Sequence, residues 1–189
     1  MTVSSFDSRE NNFTPLGHTS FRLHGSKIIG TDAYAQPVYK YDRNLFTDGS
    51  GNVSLTEMEW DVYLVVMPET PVNDISGTLP LLPLNLSPGG NQDFDFSVSP
   101  HTDHSFFITI KDNSQNLIAS ASARVYDDLG FAQEKTTGDL ENPDGGQVLF
   151  PGLTEQIYHL TATASGFQNY ANDFSISGYT KADVVLIPE

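Results

Sequence analysis

One apolar pattern occurs twice in this chain, 95 residues apart, and it constrains the fold more than any other feature. Gly51, Val53, Leu55, Met58, Val62, Tyr63 and Val65 are matched in position by Gly146, Val148, Phe150, Leu153, Ile157, Tyr158 and Leu160. In both copies the tyrosine stands twelve positions after the glycine. A fixed internal spacing of this kind marks a duplicated structural unit. In 189 residues it leaves room for two units of about ninety residues, each able to bury a modest core of its own.

The units read as all-β. Fifteen Gly and eleven Pro are spread along the chain, and no amphipathic stretch is capped at both ends as a helix would be. Residues 1–18 are polar and read as a flexible N-terminal arm. Strand signals follow at Phe21–Leu23 with Ile28–Ile29, at Val38–Tyr41, at Val53–Leu55, and most strongly from Trp60 to Met67, where β-branched and aromatic residues concentrate. Residues 68–91 carry Pro68, Pro71, Pro80, Pro83 and Pro88. Proline cannot donate to a sheet ladder, so this segment is expected as an irregular proline-rich loop or an edge. Phe94, Phe96 and Val98 alternate with polar residues and close the first unit, over 19–99. The second unit, 100–189, begins after the polar stretch Ser99–His104. It shows strand signals at Phe107–Ile110, Ala121–Tyr126, Gln147–Phe150, Tyr158–Ala164, Phe174–Ile176 and Val184–Ile187, with turns at Asp127–Gly130, Asn142–Gly146 and Ser165–Gly166. Strands at this spacing imply two tandem antiparallel β-sandwiches.

Charge narrows the partners. The net charge is −15, with five basic and twelve acidic side chains in residues 1–100 and four and twelve in the remainder. No basic patch offers itself to nucleic acid or anionic lipid, and spread acidity reads first as a solubility device. There are no cysteines, which excludes disulfides and thiol chemistry. No apolar run approaches the roughly 20 residues that span a bilayer, so no membrane insertion is expected. Met1–Asp7 lacks the basic and apolar regions of a signal peptide; the chain is then either cytoplasmic or a piece of a longer one, and its polar start fits the second better.

The second half resembles the carboxypeptidase regulatory-like domain, a prealbumin-type sandwich related to the Cna protein B-type domains of surface proteins. Asn116–Ala119 followed by Ala121–Val125 carries the likeness, with Gly146–Leu153, Tyr158–Leu160, Ala164–Phe167 and Val184–Leu186. The first half shows a looser version over 19–99 and also resembles sequences found downstream of a prepilin-type helix. Tandem modules of this kind imply a bacterial exported protein with a spacing, adhesive or pilus-associated role.

Some Cna B-type domains crosslink a Lys to an Asn or Asp with the help of a buried Glu. The resemblance places Lys111 at the lysine position and offers Asp183 on the last strand. The promoting position after Tyr-x-Leu holds Ala162, and its counterpart in the first half holds Met67. Without a protonated carboxyl to relay protons, amide formation has no catalyst, so no crosslink is expected.

Other candidates are each met by a simpler reading. Asp48, Ser50, Asn52, Ser54 and Glu59 place oxygens as a calcium loop would, but Val53 stands where that loop needs glycine. Turn and strand account for these residues, as they do for Asp139, Glu141 and Asp144. His101, Asp103 and His104 have a spacing seen in metal sites, yet no further ligand is apparent. No nucleophile elbow, phosphate loop or zinc-peptidase motif occurs, and nothing selects a glycosidase pair among the 24 acidic residues. Tyr39, Tyr41, Trp60 and Tyr63 could form a sugar-stacking platform or pack in a core. The reading is therefore a non-enzymatic scaffold or adhesion module, extracellular or at the cell surface. It has no catalytic, cofactor or metal residues, and meets a protein or glycan partner. The alternative is a carbohydrate-binding module cut from a larger secreted protein.

Overall fold

The computed structural model describes residues 1–8, 13–68 and 71–189. The described residues are all-β, without a helix, and they divide into two compact units, Met1–Ser99 and Pro100–Glu189.

In the first unit the strands are β1 (Thr2–Asp7), β2 (Thr14–Pro15), β3 (Ser20–Gly25), β4 (Ile28–Thr31), β5 (Pro37–Tyr39), β6 (Asp42–Phe46), β7 (Asn52–Ser54), β8 (Asp61–Val66), β9 (Asn73–Leu79), β10 (Leu84–Leu86) and β11 (Asp93–Pro100). One sheet runs β2-β1-β11-β9 with β7 also on β1, and the other runs β10-β8-β3-β6. β4 and β5 form a separate hairpin. Alternation decides what lies inside. Val3, Phe21, Leu23, Tyr63, Val65, Phe94, Phe96 and Val98 are all buried to within 1%. The Phe21 ring meets Phe96 edge-on at 5.5 Å. Each such side chain contributes roughly 1.5–3 kcal/mol by leaving water.

In the second unit the strands are β12 (Ser105–Asp112), β13 (Ser122–Tyr126), β14 (Ala132–Thr136), β15 (Gln147–Pro151), β16 (Ile157–Thr163), β17 (Tyr170–Ser175) and β18 (Tyr179–Leu186). The sheets run β15-β12-β18 and β14-β13-β16-β17. Phe106, Ile108, Ile110, Val125, Phe150, Tyr158, Leu160, Val184 and Leu186 form its core. The pairings match those of the first unit. β12 stands for β1, β15 for β7, β18 for β11, β13 for β3, β14 for β6, β16 for β8 and β17 for β10. The two glycines of the sequence pattern also match. Gly51 accepts a hydrogen bond from the Ser5 amide at 2.8 Å and Gly146 from the Ile110 amide at 2.7 Å. Both have positive φ, 81° and 63°. A Cβ would lie 2.9 Å from the Ser5 carbonyl oxygen or 2.7 Å from Leu117, so only glycine fits either place.

Three expectations need correction. The segment 1–18 is not a free arm over its described part. β1 lies between β7 and β11, and Val3 and Ser5 are fully buried; residues 9–12 lie outside the described residues. A strand of only two inward positions is too short to stand out in a polar stretch. Over their described part, residues 68–91 take the edge alternative and not the loop, with β9 and β10 each at the edge of its sheet. They supply β9 and β10, because Pro71, Pro80, Pro83 and Pro88 flank these strands and interrupt neither; Glu69 and Thr70 lie outside the described residues. Finally, the sheets are not wholly antiparallel. β1 pairs in parallel with β11, and β12 with β18. A parallel pair needs a long crossover, and here the rest of each unit is that crossover. No local turn signal could reveal it.

Candidate functional site

A cleft of about 410 Å³ opens on the first unit, where β6, β7 and β8 and their connections meet. Arg43 and Leu45 reach it from β6, Ser54 from β7 and Asp61 and Tyr63 from β8, with Leu55, Thr56, Glu57 and Glu59 between β7 and β8. Tyr63 points inward, 1% exposed, and its hydroxyl donates to the Glu59 carbonyl at 2.8 Å. Burial, aided by the charge of Asp61, pushes its phenol up to about 12. Tyr41 packs edge-on against that ring at 5.5 Å, and the Arg43 guanidinium lies over Tyr41 at 5.4 Å.

Two of the three cleft carboxylates, Glu59 and Asp61, are committed. Glu59 accepts from Lys40 Nζ at 2.7 Å, and that bond is the main cause holding its carboxyl below the ordinary range. Burial pushes Asp61 up, but bonds from the Ser26 hydroxyl and from the amides of Val62 and Lys27 outweigh it, so the carboxyl lies low. General acid catalysis by a carboxyl needs the opposite displacement. Neither Glu59 nor Asp61 is set up as a proton donor at neutral pH.

The four aromatic residues singled out in the sequence do not share one face. Tyr63 is core and Tyr41 leans on it. Tyr39 packs at a tilt against His24, ring centres 4.7 Å apart. Trp60 is exposed, but Lys27 Nζ sits 3.7 Å above its ring and bonds its carbonyl oxygen.

Lys111 and Asp183 do come together, Nζ to Oδ2 at 3.3 Å. The parallel register sets Thr109 against Asp183 and Lys111 against Val185. Ile110 and Val184, their chain neighbours, are both 0% exposed and face the core. The ion pair therefore lies on the opposite face of the sheet, whereas Ala162 is in the core. An acidic group at 162 would not reach it.

The calcium-like loop is an aspartate-anchored turn. Asp48 Oδ1 accepts the amides of Ser50 at 2.8 Å and Asn52 at 3.0 Å and the Ser50 hydroxyl at 2.7 Å. Asp32, Asp112 and Asp127 repeat the device, each accepting the amides two and four residues on with Oδ1. Sequence reading placed turns at 48 and 127 but missed Asp112, whose neighbours Asn113, Ser114 and Asn116 are the available signal. Asp139 and Glu141 are exposed, while Asp144 turns back against Gly138 and burial raises its carboxyl. His104 Nε2 is 3.9 Å from Glu155. Among the described residues no three His, Cys, Asp or Glu side chains converge as metal ligands.

On the second unit, His159 bridges two carboxylates. Its Nδ1 is 2.6 Å from Asp173 and its Nε2 3.2 Å from Asp128. The Asp173 bond, then the Asp128 bond, raises the imidazole above its usual value. The antiparallel register of β16 and β17 puts His159 opposite Asp173, a relation invisible without the pairing.

No protein-family model matches the chain, and no curated protein matches it. Solved structures do. Catechol 1,2 dioxygenase from Acinetobacter radioresistens aligns at TM-score 0.34 and 11% identity, over 46% of this chain and 52% of that one. The match thus spans about half of the dioxygenase chain. The shaft pilin spaA from Lactobacillus rhamnosus GG aligns at TM-score 0.34 and 11% identity, over 100% of this chain and 96% of that one. A streptococcal ancillary pilin aligns at TM-score 0.35 and 14% identity, over 100% and 61%. At these scores the likenesses bear on neither role nor mechanism.

Proposed function

We propose that the chain is a non-enzymatic surface scaffold made of two tandem prealbumin-like sandwich modules, the first beginning at β1. It would be the spacing or adhesive part of an exported bacterial protein that meets a protein partner at the cell surface. The observation that carries this reading is the shared strand order of the two units. A duplicated framework whose cores are apolar, and in which Asp32, Asp48, Glu59, Asp112, Asp127 and Asp183 are held in turns and ion pairs, extends a molecule without adding chemistry. The open cleft, with Glu59 and Asp61 both held low, supports the absence of catalysis. The dispersal of Tyr39, Tyr41, Trp60 and Tyr63 does not favour the carbohydrate-binding alternative, because stacking on sugars needs a shared exposed face. Antibody labelling of intact cells of the source organism, before and after permeabilisation, tests the reading. Labelling of intact cells is expected; signal confined to permeabilised cells would overturn it.

A further inference from the structure

The first and last strands of each unit lie side by side in parallel. In the second unit the register is unbroken over eight residues, from Ser105 against Tyr179 to Asp112 against Leu186. In the first it runs over six, from Thr2 against Asp93 to Asp7 against Val98. The chain therefore enters a unit at one end of this strand pair and leaves at the other. Tension applied to the two ends pulls the strands along their own axes in opposite directions. The ladder bonds, which lie across the strands, are then loaded together. Were the strands antiparallel neighbours, the same tension would open the bonds one at a time.

We infer that each unit is a mechanical clamp whose parallel terminal strands resist stretching along the chain by shear. Packing reinforces the clamp in the second unit. Ile108 and Ile110 on β12 and Val184 and Leu186 on β18 are all buried at 0% exposure, so sliding by one residue would turn apolar side chains out of the core. β15 holds the other side of β12 over five residues, Ser105–Pro151 to Thr109–Gln147. The last residues peel first: Gln168 donates to Ile187 at 2.8 Å and Glu189 to Gly166 at 3.1 Å, after which the load falls on Leu186. The clamp is a property of the strand register alone. Its use in bearing load along a stalk rests on the scaffold reading above.

The absence of cysteine makes the test direct, since an introduced thiol is a unique handle. In the full chain, Asp103→Cys with a C-terminal tag loads β12 against β18 in shear. Ser114→Cys with the same tag pulls both strands from one end and unzips them. Both positions are exposed, and Asn113→Cys replaces the second handle if that variant melts below the parent. Single-molecule pulling is expected to rupture the second unit at several times the force in the first geometry. Equal forces in the two geometries, or a weaker shear geometry, would overturn the clamp while leaving surface display untouched. Loss of surface labelling would sink the scaffold reading and leave the clamp standing.

Discussion

Thr47 and Thr137 make the same four hydrogen bonds, one in each unit. Each follows the edge strand of its sheet and is nearly fully buried, at 2% and 3% exposure. The Thr47 hydroxyl accepts the Thr19 amide at 3.0 Å and donates to the Leu16 carbonyl at 3.3 Å. The Thr137 hydroxyl accepts the Ala121 amide at 3.0 Å and donates to the Ile118 carbonyl at 2.8 Å. Their amides donate to Thr19 and Ala121, and their carbonyls accept from His18 and Ser120, two non-glycine residues at φ 60° and 55°. Replacing either threonine by valine keeps the shape and strands a buried amide. A loss of about 1–3 kcal/mol is expected in urea unfolding, with Thr→Ser near parental stability. A valine variant as stable as the parent would show that the hydroxyl is dispensable.

Tyr63 and Tyr158 also behave alike. Each ring is within 2% of full burial, and each hydroxyl bonds to the residue four positions earlier, Glu59 or Thr154. Truncation to alanine should cost roughly 3–5 kcal/mol. Tyr63→Phe should cost about 0.5–1.5 kcal/mol, the worth of one hydrogen bond, and Tyr158→Phe more, because its hydroxyl meets both the amide and the hydroxyl of Thr154. Equal losses from the alanine and phenylalanine substitutions would assign the whole effect to the hydroxyl.

His159 gives a pH dependence of definite sign. Its folded pKa is raised by Asp173 and Asp128, above an unfolded value of about 6.5. The stability it contributes is complete below the unfolded value and is lost as pH rises through the folded one. Asp173→Asn should lower the midpoint of its imidazole titration by NMR and flatten the stability profile in this window. An unmoved midpoint would mean that the 2.6 Å contact does not persist in solution.

The anchored turns predict the opposite slope in acid. The Asp48 carboxyl is held low by the Ser50 hydroxyl and the amides of Asn52 and Ser50, and that of Asp112 by Asn116. Their contribution is present above an unfolded value of about 3.9 and is lost as pH falls through the folded one. Since no three acidic or histidine side chains converge as ligands among the described residues, melting with and without chelator should coincide. A lower melting point in chelator would reveal a bound ion.

Intact mass should equal the sequence mass. The Lys111–Asp183 contact is an ion pair on the face of the sheet away from the core, out of reach of position 162. A deficit of one water would reverse this assignment.

The residues that alternate strictly were legible in the sequence. Phe94, Phe96, Val98 and the run around Tyr63 appear where apolar periodicity put them, because inward positions of a strand need little context. Other elements were not legible because long-range pairing supplies their reason. β1 buries only Val3 and Ser5, and β9 buries small polar side chains such as Ser76 and Thr78; neither is apolar enough to announce a strand. At the cleft, aromatic content was visible but its dispersal was not. The commitment of Glu59 to Lys40 joins two connecting segments nineteen positions apart, a meeting no local pattern encodes.

The aspartate turns separate two properties that composition merges. In each of the four, one side-chain oxygen does the geometric work, and an asparagine carbonyl can accept the same two amides. Asp→Asn at 32 and 48, where no second bond to Oδ2 competes, would strip two negative charges from a chain of net −15 and leave both turns closed. Asp→Ala would remove the same charges and open them. Colloidal behaviour and backbone shape can thus be varied independently in this protein, at the same positions, by choosing between two neutral residues.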